Sequence, residues 1–177
     1  RTWNTLGDSD MGILAVHSVK PGLATEEAFA VREALSFAVQ FGRSRDWVFE
    51  DYTSGPGGFS VWANALETGK ANGMGVAYNA VVWAECRQYA VEFLKSVIAR
   101  GILSRDEVQD AREAYEISYN ALQEISELFP FFGHREDHIR DEGRVKKAVE
   151  LLYQVRDAED RALNTFEEIV SSEFVAI

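Results

Sequence analysis

From Thr25 onward the apolar positions fall mostly at steps of three and four residues, the spacing that lays them along one side of an α-helix. Thr25 is a good N-cap residue, Phe29, Leu35, Ala38 and Val39 follow it, and Gly42 offers a stop. A short helix is expected from Pro56 to about Thr68, closed by Gly69. A long helix is expected from about Gly75 to Arg100, with Val82, Cys86, Tyr89, Phe93 and Val97 as its buried side. Ser104-Arg-Asp-Glu107 has the spacing of a capping box, the hydroxyl capping the helix start while the carboxylate reaches back. It opens a helix whose stripe is Val108, Ala111, Tyr115, Leu122, Ile125 and Phe129, and Pro130 ends it. The last helix is expected to start between Gly133 and Arg144 and to run to about Ser171, on Val145, Ala148, Leu152, Val155, Ala162, Phe166 and Ile169.

Before Thr25 the pattern changes. Gly12-Ile-Leu-Ala-Val-His-Ser-Val19 is a compact apolar run closed by Lys20-Pro21-Gly22, which favours a strand, with Trp3 to Leu6 as a candidate partner strand. The links at Gly101–Leu103 and Pro130–Gly133 are short, and short links make consecutive helices antiparallel neighbours. The expected fold is therefore mainly α, an antiparallel bundle of four to five helices with a small N-terminal β element. Residues 1–177 read as one domain, with the β element over 1–22 and helices over 25–171.

Charge narrows the function classes. The formal net charge is −11, and residues 104–177 carry 18 acids and 9 bases, so −9 of it lies there. Such a surface repels phosphate backbones and anionic lipid, which argues against nucleic acid and membrane partners. No apolar run is long enough to span a bilayer. A single cysteine, Cys86, excludes an intrachain disulfide and fits a reducing, cytoplasmic setting.

Few residues point to chemistry. Cys86 lies in the expected apolar stripe, where a thiolate is disfavoured, and no His is near it in sequence, so it reads as a buried structural residue. His134 and His138 stand four apart around Glu136 and Asp137, half of a metal site, but Arg135 occupies the position where a metalloprotease helix needs Glu. His17, in the apolar run, reads as a hydrogen-bonded core residue. Glu85 falls at the edge of the stripe of its helix, and Glu159 falls inside one, flanked by Val155 and Ala162. A carboxylate buried among helices needs a cation, a hydrogen-bond partner, a proton or a metal, and Arg87 or Arg156 could supply the cation. Neither carboxylate completes the Glu-x-x-His motif of di-metal bundles, because Gln88 and Ala162 stand where His is required. Trp47, Tyr52, Phe59, Trp62, Tyr78 and Trp83 either pack the irregular segment onto the helices or wall a pocket for an apolar or planar molecule.

Four stretches, Gly58-Phe-Ser-Val-Trp-Ala-Asn-Ala-Leu-Glu67, Trp83-Ala-Glu-Cys-Arg-Gln-Tyr-Ala-Val-Glu-Phe-Leu94, Leu128-Phe-Pro-Phe131 and Ala158-Glu-Asp-Arg-Ala162, together resemble the helical later half of bacterial proteins related to the butirosin-biosynthesis acyltransferase, a papain-like superfamily. The resemblance covers about residues 12–171. It implies that Gly58, Trp62 and Arg87 help frame a cleft, and that the nucleophilic Cys and its His belong to a preceding half that nothing in this chain matches. The function expected is thus a non-catalytic binding domain, holding a small molecule or a protein partner through an aromatic cleft. Trp62, Tyr78, Trp83, Glu85, Arg87 and Glu159 are its candidate ligand-binding residues, with no catalytic residue and no cofactor assigned. A homodimer through the aromatic seam is one arrangement this allows. The alternatives are a fragment or relative of a thiol acyltransferase, or a metal-binding bundle using His134 and His138.

Overall fold

The structure, a computed structural model, describes residues 20, 22–46, 48–49, 52–133 and 135–172. Those residues are mainly helical: α1 (Glu27–Arg43), α2 (Gly57–Glu67), α3 (Gly73–Ala99), α4 (Arg105–Leu128), α5 (Arg135–His138) and α6 (Glu142–Ser171). No strand occurs among them, and nearly all of the β element expected over 1–22, His17 included, lies outside them.

Local chemistry sets the ends. Ser104 Oγ accepts from the Glu107 amide at 3.2 Å and Glu107 accepts from the Ser104 amide at 2.7 Å, so the capping box forms in full. The bond from the Ser104 amide and, after it, the Ser104 side chain hold the Glu107 carboxyl below its ordinary range. Asn72 and Asp141 cap α3 and α6 through side-chain oxygens. Thr25 does not cap α1. The helix starts two residues later, with Glu26 at the cap position and no side-chain cap bond. Gly69 and Gly101 stop α2 and α3 with positive φ, the backbone that glycine adopts without a Cβ penalty.

The last helix starts at Glu142, within the window expected, and the short α5 precedes it. Arg144 donates to Leu128 O, a carbonyl left free at the end of α4, and Arg135 donates at 2.7 Å to Phe131 O in the link that follows.

α4 packs between α3 and α6. α1 runs antiparallel to α6: Arg32 reaches Ile169 O near the end of α6, while Arg43 pairs with Asp160 and, at 2.7 Å, with Glu167. α2 also packs on α6. Two hydrophobic clusters result. One joins Val31 and Leu35 of α1 to Val91, Leu94 and Val97 of α3, Val108 to Tyr115 of α4, and Ala158 to Ile169 of α6. The other joins Phe59, Ala63 and Leu66 of α2 to Val76 through Ala84 of α3, Ala121 to Phe129 of α4, and Ala148 to Val155 of α6. α1 and α2 therefore occupy one side of the body in succession.

Of the side of α3 expected to be buried, Val97 is in the core, but the rest of the buried side lies elsewhere on the helix. Val76, Ala80, Ala84, Val91 and Leu94 face inward, whereas Cys86 is exposed, Tyr89 is 66% exposed and Phe93 is 38% exposed. Both sides of α3 carry apolar residues at helical spacing, so periodicity could not choose between them. Packing chose the alanine side, whose small residues let a neighbouring helix approach closely.

Candidate functional site

A buried carboxylate lies at the junction of the two clusters. Glu159 of α6 is 5% exposed. Arg87 of α3 donates from Nε to Glu159 Oε1 at 2.5 Å. Each side chain reaches the other because each sits on the inward stripe of its helix, Arg87 between Ala84 and Val91 and Glu159 between Val155 and Ala162. The Arg87 guanidinium lies between two rings, its Cζ 5.0 Å from the centroid of Trp83 and 5.3 Å from that of Tyr115. Trp83 meets Phe59 of α2 edge-on at 6.1 Å, and Tyr115 meets Phe166 of α6 at 5.9 Å. The cation of the pair is thus flanked by rings from α3 and α4, which rest in turn on rings of α2 and α6.

The electrostatics follow from this packing. Burial opposes the Arg87 charge, but the charge of Glu159 and the hydrogen bond to it outweigh that penalty and hold Arg87 above its ordinary value. Burial pushes the Tyr115 hydroxyl up, the Glu159 charge pushes it further, and Arg87 opposes both. Neither group exchanges a proton near neutrality, and the guanidinium is committed to Glu159 with its faces covered by rings. The cluster offers no free cation, acid or nucleophile, and its chemistry is that of a satisfied internal ion pair.

The Tyr115 shift has a visible consequence. A group whose pKa is raised on folding stabilises the fold fully below its unfolded value, here 10.0, and that contribution is lost as pH rises above it. In an alkaline titration followed at 295 nm, Tyr115 of the six tyrosines is expected to stay protonated until the protein unfolds, giving a late cooperative step. Tyr115→Phe should remove one tyrosinate from that step. A smooth titration of all six would contradict the burial.

The other expected site residues separate from this cluster. Glu85 and Cys86 are exposed on α3, which corrects both the stripe-edge placement of Glu85 and the buried placement of Cys86. Tyr78 is 55% exposed and leans on Phe131 at 6.4 Å. Trp62, half-buried on α2, packs against the second cluster with its Nε1 buried and without a hydrogen-bond partner. Ser118, one turn beyond Tyr115, is fully buried with its Oγ likewise unpartnered. Gly58 sits in the first turn of α2. Arg156 pairs with Asp157 at 2.7 Å, so the cation for Glu159 is Arg87. Trp47 and His134 lie outside the described residues. His138 is half-buried on α5 with Nδ1 unpartnered, and no group of three His, Cys, Asp or Glu able to hold a metal occurs among the described residues. A cavity of about 310 Å³ lies at the foot of α3, lined by Met74, Gly133, Arg135, Glu136 and Asp137, away from Arg87. Beside it Glu136 accepts from the Gly73 amide at 3.1 Å, so the start of α3 already holds a carboxylate.

Sequence reasoning missed the outer side of α3. Tyr78, Val82, Cys86, Tyr89 and Phe93 form a continuous row opposite the buried stripe, and all but the half-buried Val82 are exposed. The signal was legible as two apolar rows on one helix, and only one row of a helix on a surface can be core. No known protein family, characterised protein or solved structure matches the chain. Among the described residues no helix is long and apolar enough to cross a membrane.

Proposed function

We propose that this chain is a non-catalytic protein-binding domain, an antiparallel helical bundle that docks a partner on the outer side of α3. One observation carries the reading: the side of α3 that a bundle helix turns to water bears Tyr78, Val82, Cys86, Tyr89 and Phe93, with Glu85 and Glu92 along one edge of the row. Contiguous exposed aromatic surface of this kind marks interaction sites. The row also lies on the charge-poor part of an acidic chain, since residues 73–99 hold two acids (Glu85, Glu92) and two bases (Arg87, Lys95). A small molecule at the Arg87–Glu159 cluster is disfavoured, because Trp83 and Tyr115 already cover the guanidinium. The resemblance to the helical half of acyltransferase-related proteins is compatible with this reading, since there too the nucleophile lies outside this region. An exposed free thiol suits a cytoplasmic setting.

The test is the pair Tyr89→Ser and Phe93→Ser. Side chains that serve docking contribute little to the fold, so circular dichroism and the Tm at submicromolar protein should stay within a few degrees of wild type. Binding of the dye ANS should fall in parallel. A large drop in Tm would show the row to be part of the core and would end this reading.

A further inference from the structure

We infer that the partner docked on α3 is a second copy of this chain, its α3 running antiparallel to the first about a two-fold axis that passes between Glu85 and Cys86. This rests on the docking reading above and names the occupant of that same surface. The row is symmetric in position about the axis point: Tyr78 lies seven residues before Glu85 and Phe93 seven after Cys86, Val82 three before and Tyr89 three after. Gly75, ten before, is matched by Ser96, ten after. In an antiparallel two-fold pair each position meets its mirror position, so Tyr78 packs on the partner's Phe93 and Val82 on the partner's Tyr89, while the small Gly75 and Ser96 relieve crowding at the ends. A two-fold interface must be self-complementary in this way, and a surface shaped for an unrelated partner need not be.

Charge and area agree with the assignment. The exposed charges of α3 are Glu85, Glu92 and Lys95, and the last two pair with each other at 3.0 Å, so two copies of a chain with net charge −11 meet little repulsion on this side apart from Glu85. The row runs about 22 Å from Tyr78 to Phe93 at 1.5 Å per residue. Phe131, against Tyr78, and Phe132, 85% exposed, extend it at one end. Taking about 200 Å² for a fully exposed ring, the exposed fractions leave on the order of 500 Å² of largely aromatic surface per copy. Two copies would bury roughly 1,000 Å², the lower bound of a specific interface, so the dimer is weak and reversible.

The axis also brings the two Cys86 side chains together on one side and the two Glu85 side chains together on the other. The first juxtaposition favours a cross-link and the second opposes association.

Sedimentation velocity from submicromolar to submillimolar protein should show the mass rising toward twice the monomer, and Glu85→Gln should tighten the association several-fold by removing the like charges at the axis. Orientation is read by cross-linking under a mild oxidant in a Cys86→Ser background. Mixed Tyr78→Cys and Phe93→Cys chains should form a 78–93 disulfide, and Tyr78→Cys alone should not link to itself. Self-linking of Tyr78→Cys, or no response to Glu85→Gln, would overturn the antiparallel pair. A monomer at every concentration, with the Tyr89→Ser, Phe93→Ser variant folded and depleted of dye binding, would remove the second copy and leave the docking surface. If that variant is itself strongly destabilised, both inferences fall.

Discussion

Glu159→Ala lowers the free energy of unfolding by about 3–5 kcal/mol, measured by urea denaturation with circular dichroism, because it strands the Arg87 charge between two rings with no anion to meet it. On a total of about 5–15 kcal/mol for a domain, that is a large share. Arg87→Ala is expected to cost a similar amount from the other side, leaving a carboxylate that is 5% exposed without its cation. The informative variant is the double replacement Arg87→Met with Glu159→Leu. Desolvating two charges costs nearly what their attraction returns, so a pair of apolar residues of similar volume should restore most of the lost stability. A cost below about 1 kcal/mol for Glu159→Ala would mean that water reaches the pair and that it behaves as a surface ion pair.

The expected pattern of large single losses and small double loss defines what the pair does. It selects an arrangement more than it stabilises one. Arg87 and Glu159 lie where the α1-covered cluster ends and the α2-covered cluster begins, and Arg43 at the end of α1 holds Asp160, the residue next to Glu159. A slip of α3 against α6 by one turn would bury Arg87 against aliphatic side chains. The ion pair therefore fixes which turn of α3 faces which turn of α6.

Legibility in the sequence follows the same logic. α4 and α6 alternate apolar and charged residues at the helical period, and their stripes and the Ser104 cap were readable because each position has one plausible direction. Glu159 stood out as an acid in an apolar stripe, and Arg87 was one of two cations within reach. α3 has the weakest amphipathic signal of the five longer helices, because Ala80, Ala84 and Leu94 on one side compete with Val82, Tyr89 and Phe93 on the other. Larger aromatic residues suggested the wrong side. The choice depends on how closely α4 can approach, a tertiary quantity that no single helix encodes. For the same reason Glu85 and Cys86 were misplaced together, since a rotation of one helix carries every residue on it.

Gly55→Ala is the second large effect expected, at roughly 2–5 kcal/mol, and it should act on α1 alone. Gly55 has φ +61°, and a Cβ there would lie 1.9 Å from the Gly42 carbonyl oxygen of α1. The left-handed backbone costs an alanine about 1–2 kcal/mol, and relieving a backbone clash adds about 1–3 kcal/mol, as for overpacking elsewhere. Gly69 supplies the control, because it has nearly the same φ, +66°, with open space where its Cβ would stand. Gly69→Ala should therefore show the backbone cost without the clash, and the difference between the two variants measures the contact of Gly55 with α1. Relief of the clash must push Gly55 off Gly42, loosening the bond from Ser54 Oγ to Ser44 O and the grip of Arg43 on Asp160 and Glu167. Amide hydrogen exchange should then quicken along α1 while α4 and α6, packed on each other, keep their protection. Equal costs for the two variants, or exchange that quickens throughout, would mean that Gly42 and Gly55 do not meet and that the side of the body shared by α1 and α2 is built differently.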